Sequence, residues 1–277
     1  MKIVEQEAMY VPQEGNPYEL IEDIGRTCYK SEKCGNPVGF VKGLAKSKHL
    51  AMLEHAYVYF KLDDEAKRLF IKQVISKELK FINVALNYVS GSFRAFLELI
   101  EPYNNDLFDR GNVIVVEMAR LLCQQYPDIF DYDNITPLKA SCGMVELISR
   151  DEVIADIKGL GIVMEDYYIS QLIPHTFRFI TNRAIANEIV RHRTASFAQE
   201  STRYVGYDKD KFGSEITVIK PMIEENSKDY EEWKYAMEWC ETVYMNLRSR
   251  GIQPQIARGV LPQDLKAELV VTATEEE

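Results

Sequence analysis

Apolar residues recur three and four apart over residues 18 to 29, at Leu20, Ile21 and Ile24, and again over 40 to 55, at Val41, Leu44 and Ala45. That spacing predicts two surface helices. Ala56 to Phe60 is a run of aromatic and β-branched residues, and His175 to Ile180 alternates apolar with polar, so both read as strands and as candidate sheet neighbours. Between them, Asp63 to Val74 has a helical pattern, Phe93 to Ile100 and Val113 to Cys123 are rich in apolar residues, and a charged stretch runs from Ser149 to Asp156. Enough apolar content is present for this middle region to fold. From Glu224 to Arg250, Trp233, Met237, Cys240, Tyr244 and Leu247 form one stripe on a long helix that Gly251 is placed to stop. Pro254 suits the first turn of a short helix, Gln255 to Val260, and Leu269 begins another strand. Helices and strands without a regular β-α-β alternation predict an α+β fold.

The chain has 277 residues, 33 Lys+Arg against 43 Asp+Glu, and a net charge of −10. An acidic balance argues against nucleic acid as a partner. Five scattered cysteines with no C-x-x-C pair disfavour a disulfide framework or a structural zinc site, and with four dispersed histidines they predict no metal. There is no basic leader followed by an apolar stretch, nor an uninterrupted apolar run of about 18 residues, so the expectation is a cytoplasmic protein with no membrane partner. Gly159-Leu160-Gly161 lacks the third glycine of a dinucleotide fingerprint, and phosphate-loop, zincin and nucleophile-elbow motifs are absent.

One segment, Arg191 to Tyr204, packs three arginines, a histidine, four Ser or Thr hydroxyls and a Gln-Glu pair into a short stretch. Ala184, Ile185, Ile189 and Val190 upstream give a helical apolar face, which places Arg191-His192-Arg193 in the last turn of that helix. Cations there could merely complement the helix dipole, worth about 0.3–1 kcal/mol. The downstream hydroxyls shift the balance, because guanidinium groups with Ser and Thr side chains and backbone amides make a phosphate receptor. Cys142 has no neighbouring cation in sequence to activate a thiolate.

Arg191-His192-Arg193, seven residues, then Ser201, with Arg203-Tyr204 following, resembles the signature of the flavin-dependent thymidylate synthase (ThyX) family. His49 to His55 resembles the family's upstream H-x-[ST]-x-x-E-H block, with Ala51 in place of the hydroxyl residue, and Ile256 to Pro262 resembles its downstream A-R-x-x-L-P block. The resemblance covers residues 18 to 60 and 174 to 274. It implies one α+β domain with a mixed sheet flanked by helices, interrupted by a large insertion at about 61–170, between the first strand and the Arg-His-Arg motif. It also implies a homotetramer with active sites shared between subunits, and reductive methylation of dUMP to dTMP. In that reaction 5,10-methylenetetrahydrofolate donates the one-carbon unit, and NADPH reduces FAD, which delivers hydride. By the same resemblance His49, Arg191, His192, Arg193 and Gln199 bind FAD, while Glu188, Arg191, Gln199, Glu200, Ser201, Thr202, Arg203 and Arg258 bind dUMP. The family's uracil-activating arginine lies beyond the strand at 269 and has no counterpart before Glu277, so no catalytic residue is assigned. A catalytically silent FAD- and nucleotide-binding homologue is the alternative expectation.

Overall fold

The computed structural model describes residues 1–33, 35–75, 81–100, 113–130, 143–203, 206–208 and 213–275. Cys34, Cys142 and Tyr204 lie outside them. The strands are β1 (Lys2–Val4), β2 (Glu7–Val11), β3 (Tyr57–Leu62), β4 (Ile82–Ala85), β5 (Tyr88–Ser92), β6 (Val145–Ile148), β7 (His175–Asn182), β8 (Ser196–Gln199), β9 (Thr217–Ile219) and β10 (Lys266–Ala273).

Helix α1 (Pro17–Tyr29) opens where the Asn16 side chain accepts the Tyr18 N–H, with Pro17 in the first turn, and closes at Lys30 in the left-handed conformation. The pattern at 40 to 55 resolves into two elements. Helix α2 (Pro37–Lys46) is capped by Asn36, the backbone turns at Lys48 with φ 57°, and a 3-10 turn follows at Leu50–His55. The long C-terminal helix α9 (Lys228–Ser249) ends as its glycine implies. Gly251 has φ 83°, its N–H donates to Arg248 O, and the Ile252 N–H reaches back to Leu247 O, a Schellman stop.

Strands β2, β7, β10 and β8 form an antiparallel sheet in that order, and β4, β5, β3 and β6 form a second. Among the described residues parallel pairing is confined to β1 with β9, and an antiparallel bridge from Val218 to Leu265 joins β9 to the segment leading into β10. The fold is α+β, with two antiparallel sheets, one parallel strand pair and helices around them. Two strands that the sequence pattern missed, β1 and β2, precede the strand at 57. The expected pairing of the strand at 56–60 with that at 175–180 does not form: β3 pairs with β5 and β6, whereas β7 pairs with β2 and β10. The reason is visible in their burial. Tyr57 to Phe60 is buried on both faces and needs a layer on each, while the alternating β7 leaves Phe177 exposed on one face.

Helices α3 (Asp64–Ile75), α4 (Phe93–Ile100) and α5 (Val113–Gln125) cover the second sheet. Phe60, Phe70, Phe93 and Phe96 sit in one core with Ile21, Val41 and Leu53, so the described residues of the 61–170 stretch share their interior with α1 and α2. Phe60 and Phe96 meet edge-on at 5.2 Å. Helices α6 (Arg150–Gly159) and α7 (Glu165–Leu172) lead from β6 to β7.

Candidate functional site

The first sheet ends in a polar cavity of about 260 Å³ lined by Arg183, Asn187, Gln199, Glu200, Ser201, Thr202, Arg258, Lys266 and Ala267. Each comes from a definable place. Asn182 ends β7 and caps α8 (Arg183–Ile189), its side chain accepting the Ile185 N–H at 2.9 Å. Arg183 and Asn187, four apart, share one face of α8. β8 delivers Gln199 opposite Leu269, after which Glu200 N–H donates to Glu268 O at 2.8 Å and Ser201 N–H to Cys28 O at 3.0 Å. Arg258 follows the short helix α10 (Pro254–Ala257) and donates from Nη1 to Thr202 Oγ1 at 3.3 Å.

Under the cavity runs a chain of alternating charges. The Glu200 carboxylate, 2% exposed, takes Lys266 Nζ at 2.9 Å and has Lys30 Nζ at 3.7 Å. Glu268 takes Lys30, and Arg178 Nη1 at 2.9 Å; Arg178 continues to Asp23, which meets Lys33 at 3.0 Å. Burial by itself would raise the Glu268 pKa, but Lys30, Lys266 and Arg178 outweigh it and hold this carboxyl below its ordinary value. Glu200, for its part, is paired with Lys266. Arg183 and Arg258 make no ion pair among the described residues, leaving two uncancelled guanidinium charges at the cavity.

A second cavity, about 440 Å³, lies across the Cys28–Ser201 hydrogen bond and is lined by Cys28, Leu44, Lys48, His49, Leu50, Ala51, Met52 and Arg94. Apolar walls and a cationic rim suit a planar aromatic group bearing phosphates. Arg94 is held by Glu54 at 2.6 Å and Glu98 at 2.7 Å. Burial pushes the Cys28 thiol up to about 11, with a smaller lowering from the Gln199 backbone, so it stays protonated near neutral pH. Behind the 3-10 turn, His55 is fully buried, with Nδ1 2.7 Å from Thr272 Oγ1, and burial lowers its pKa to about 4. It is a structural histidine joining the two sheets.

The structure thus brings Gln199, Glu200, Ser201, Thr202 and Arg258 to one cavity and puts His49 in the neighbouring one. Glu188, Arg191 and Arg203 do not line the first cavity. Glu188 follows Asn187 on α8 and so points off its face. The Arg-His-Arg triplet lies just past α8 rather than in its last turn, because the helix stops at Ile189, and all three side chains are exposed on the turn into β8. Arg203 is exposed, its N–H donating to Ser201 Oγ at 3.3 Å. Arg183, Asn187 and Lys266 were not foreseen. The i, i+4 spacing of Arg183 and Asn187 on the helix preceding the motif was the available signal; Lys266 carried none, since its role depends on a strand pairing with distant β8.

Among the described residues no group of three His, Cys, Asp or Glu side chains gathers as a metal site, and no helix is long and apolar enough to cross a membrane. What the fold and site define is an α+β protein with a cationic, hydroxyl-lined cavity beside a larger half-apolar one. Residues 157–276 match the family model described as thymidylate synthase complementing protein, beginning inside the stretch expected as insertion. A flavin-dependent thymidylate synthase of Pyrococcus furiosus is 35% identical over 91 residues, 33% of this chain and 37% of that protein. That of Pyrococcus abyssi is 34% identical over 132 residues, 46% of this chain and 52% of that protein. The matched part thus spans between about a third and a half of these curated relatives' length. The solved structure of a UMP/dUMP methylase PolB from Streptomyces cacaoi bound with 5-Br dUMP is 21% identical, covering 59% of this chain and 68% of that one with a TM-score of 0.31. Over residues 157–276 the chain is thus similar to the flavin-dependent thymidylate synthases, the family that the Arg191–Tyr204 segment resembles.

Proposed function

We propose that the protein catalyses reductive methylation of dUMP to dTMP in the cytoplasm, with 5,10-methylenetetrahydrofolate as one-carbon donor, FAD as flavin and NADPH as reductant. The observation that carries this reading is the cavity itself, in which Gln199, Ser201 and Thr202 converge beside the two uncancelled guanidinium charges of Arg183 and Arg258. A phosphate monoester dianion matches that charge, and guanidinium forks with Ser and Thr hydroxyls suit its oxygens. The Gln199 amide both donates and accepts, as a uracil edge requires. The buried Lys266–Glu200 pair fixes the floor, so the nucleotide would meet a preorganised wall.

FAD fits the neighbouring cavity: Leu44, Leu50 and Met52 offer apolar contact to a ring system, and His49, Lys48 and Arg94 offer donors to its polar edge and phosphates. Bound there, the flavin would supply the hydride for the transferred carbon. This chain's part is to hold the two ligands on either side of the Cys28–Ser201 hydrogen bond. Arg191, His192 and Arg193, exposed on their turn, are read as donors to the flavin in a homotetramer with shared sites. Supporting such an assembly, one face of the first sheet bares Tyr10 and Phe177, 48% and 40% exposed and 5.6 Å apart. The 61–170 stretch is read as an insertion within a single domain.

Incubation with dUMP, 5,10-methylenetetrahydrofolate, FAD and NADPH should yield dTMP, detected by chromatography. Formation of no dTMP while the dihydrofolate-type cysteine-dependent enzyme works in the same mixture would contradict the reading.

A further inference from the structure

We propose that Arg183 is a specificity-determining residue of the nucleotide cavity, the cation that selects a 5′-phosphorylated ligand over the bare nucleoside. This rests on the nucleotide reading above and adds to it a residue outside the Arg191–Arg203 segment.

Three observations point to it. Arg183 lines the cavity from the first turn of α8, on the face shared with Asn187, and Ser201 and Thr202 belong to the same lining. Its backbone is pinned, the N–H donating to Gln263 O at 3.0 Å and Leu265 O at 3.1 Å, so the guanidinium is launched from a fixed point. Its side chain has no ion pair or hydrogen bond among the described residues, although it is only partly exposed. Stability does not explain a cation there, because positive charge in a helix's first turn is disfavoured by about 0.3–1 kcal/mol. Of the other cations, Lys266 is engaged by Glu200, Arg191 and Arg193 lie outside the cavity, and Arg258, the second guanidinium there, already donates to Thr202, which leaves Arg183, among the described residues, as the one with its whole fork open. An unpaired, planar, permanently charged fork beside two hydroxyl side chains is suited to bidentate contact with a dianionic phosphate.

Calorimetric titration of the full chain, wild type and Arg183→Gln, with dUMP and with deoxyuridine at one ionic strength, tests this. In the variant dUMP affinity should fall by about tenfold to a hundredfold, as expected for a lost charged contact, while deoxyuridine affinity stays unchanged. Arg183→Lys should recover part of the loss, since it keeps the charge but not the fork. The variant's melting temperature should be equal or higher, which excludes misfolding as the cause. Unchanged dUMP affinity, or an equal loss for both ligands, would overturn the inference while leaving the nucleotide reading in place. A wild type that binds neither ligand would overturn the nucleotide reading itself, and this inference with it.

Discussion

Lys266 Nζ lies 2.9 Å from Glu200 Oε2, a carboxylate 2% exposed at the floor of the cavity. One residue opens β10 and the other follows β8, so the pair ties together the two strands that build the site. Removing one partner leaves a buried charge poorly compensated, and Lys266→Met should cost roughly 2–4 kcal/mol. Lys30, 3.7 Å from Glu200, keeps the loss below that of a fully orphaned charge. Urea unfolding of the variant reads it directly; a change of a few tenths would show the pair to be incidental.

Asp264 joins α9 to the start of α8, accepting Trp233 Nε1–H at 2.8 Å on one oxygen and Asn182 Nδ2–H at 2.9 Å on the other. Asp264→Ala should destabilise by about 1–3 kcal/mol, since it removes two hydrogen bonds to a charged acceptor. It should also alter the Trp233 emission in the folded state. Asn182→Ala should cost about 1 kcal/mol through the lost cap and loosen the helix that carries Arg183.

Burial holds His55 at a pKa of about 4, against 6.5 when unfolded. Between these values the unfolded chain binds a proton that the folded chain refuses. Stability is therefore complete above about pH 6.5 and declines as the pH falls towards 4, by up to about 3 kcal/mol from this group. Glu268, held below its ordinary value, adds to the loss at the acid end of that window. His55→Asn should lower stability throughout but flatten the slope of unfolding free energy against pH between 6.5 and 4; an unchanged slope would refute the assignment.

Cys28 stands beside both cavities with its thiol pushed up to about 11. A protonated thiol is a poor nucleophile, so Cys28→Ala should leave dTMP formation within the same order of magnitude. Loss of activity with intact ligand binding would assign the thiol a chemical role.

Much of this arrangement was written locally. The stripe from Trp233 to Leu247 and the glycine after it specify α9 and its end, because helix periodicity and capping involve residues close in sequence. The alternation of β7 likewise announced a strand with one open face. Partners were not legible: β3 meets β5 and β6 rather than β7, and β1 and β2, only three and five residues long, owe their existence to distant β9 and β7. The site divides the same way. Gln199 to Thr202 stood out as one run, whereas Arg183 and Lys266 join them only through the pairing of β7, β10 and β8.

The proposed reaction requires joint binding of FAD and dUMP in the two adjacent cavities. Its most direct test is the visible spectrum of the protein after incubation with FAD and desalting, recorded before and after dUMP is added. The account predicts retained flavin whose absorption bands shift with dUMP in a saturable manner. Retained flavin indifferent to dUMP, or a colourless protein that binds no dUMP, would contradict it.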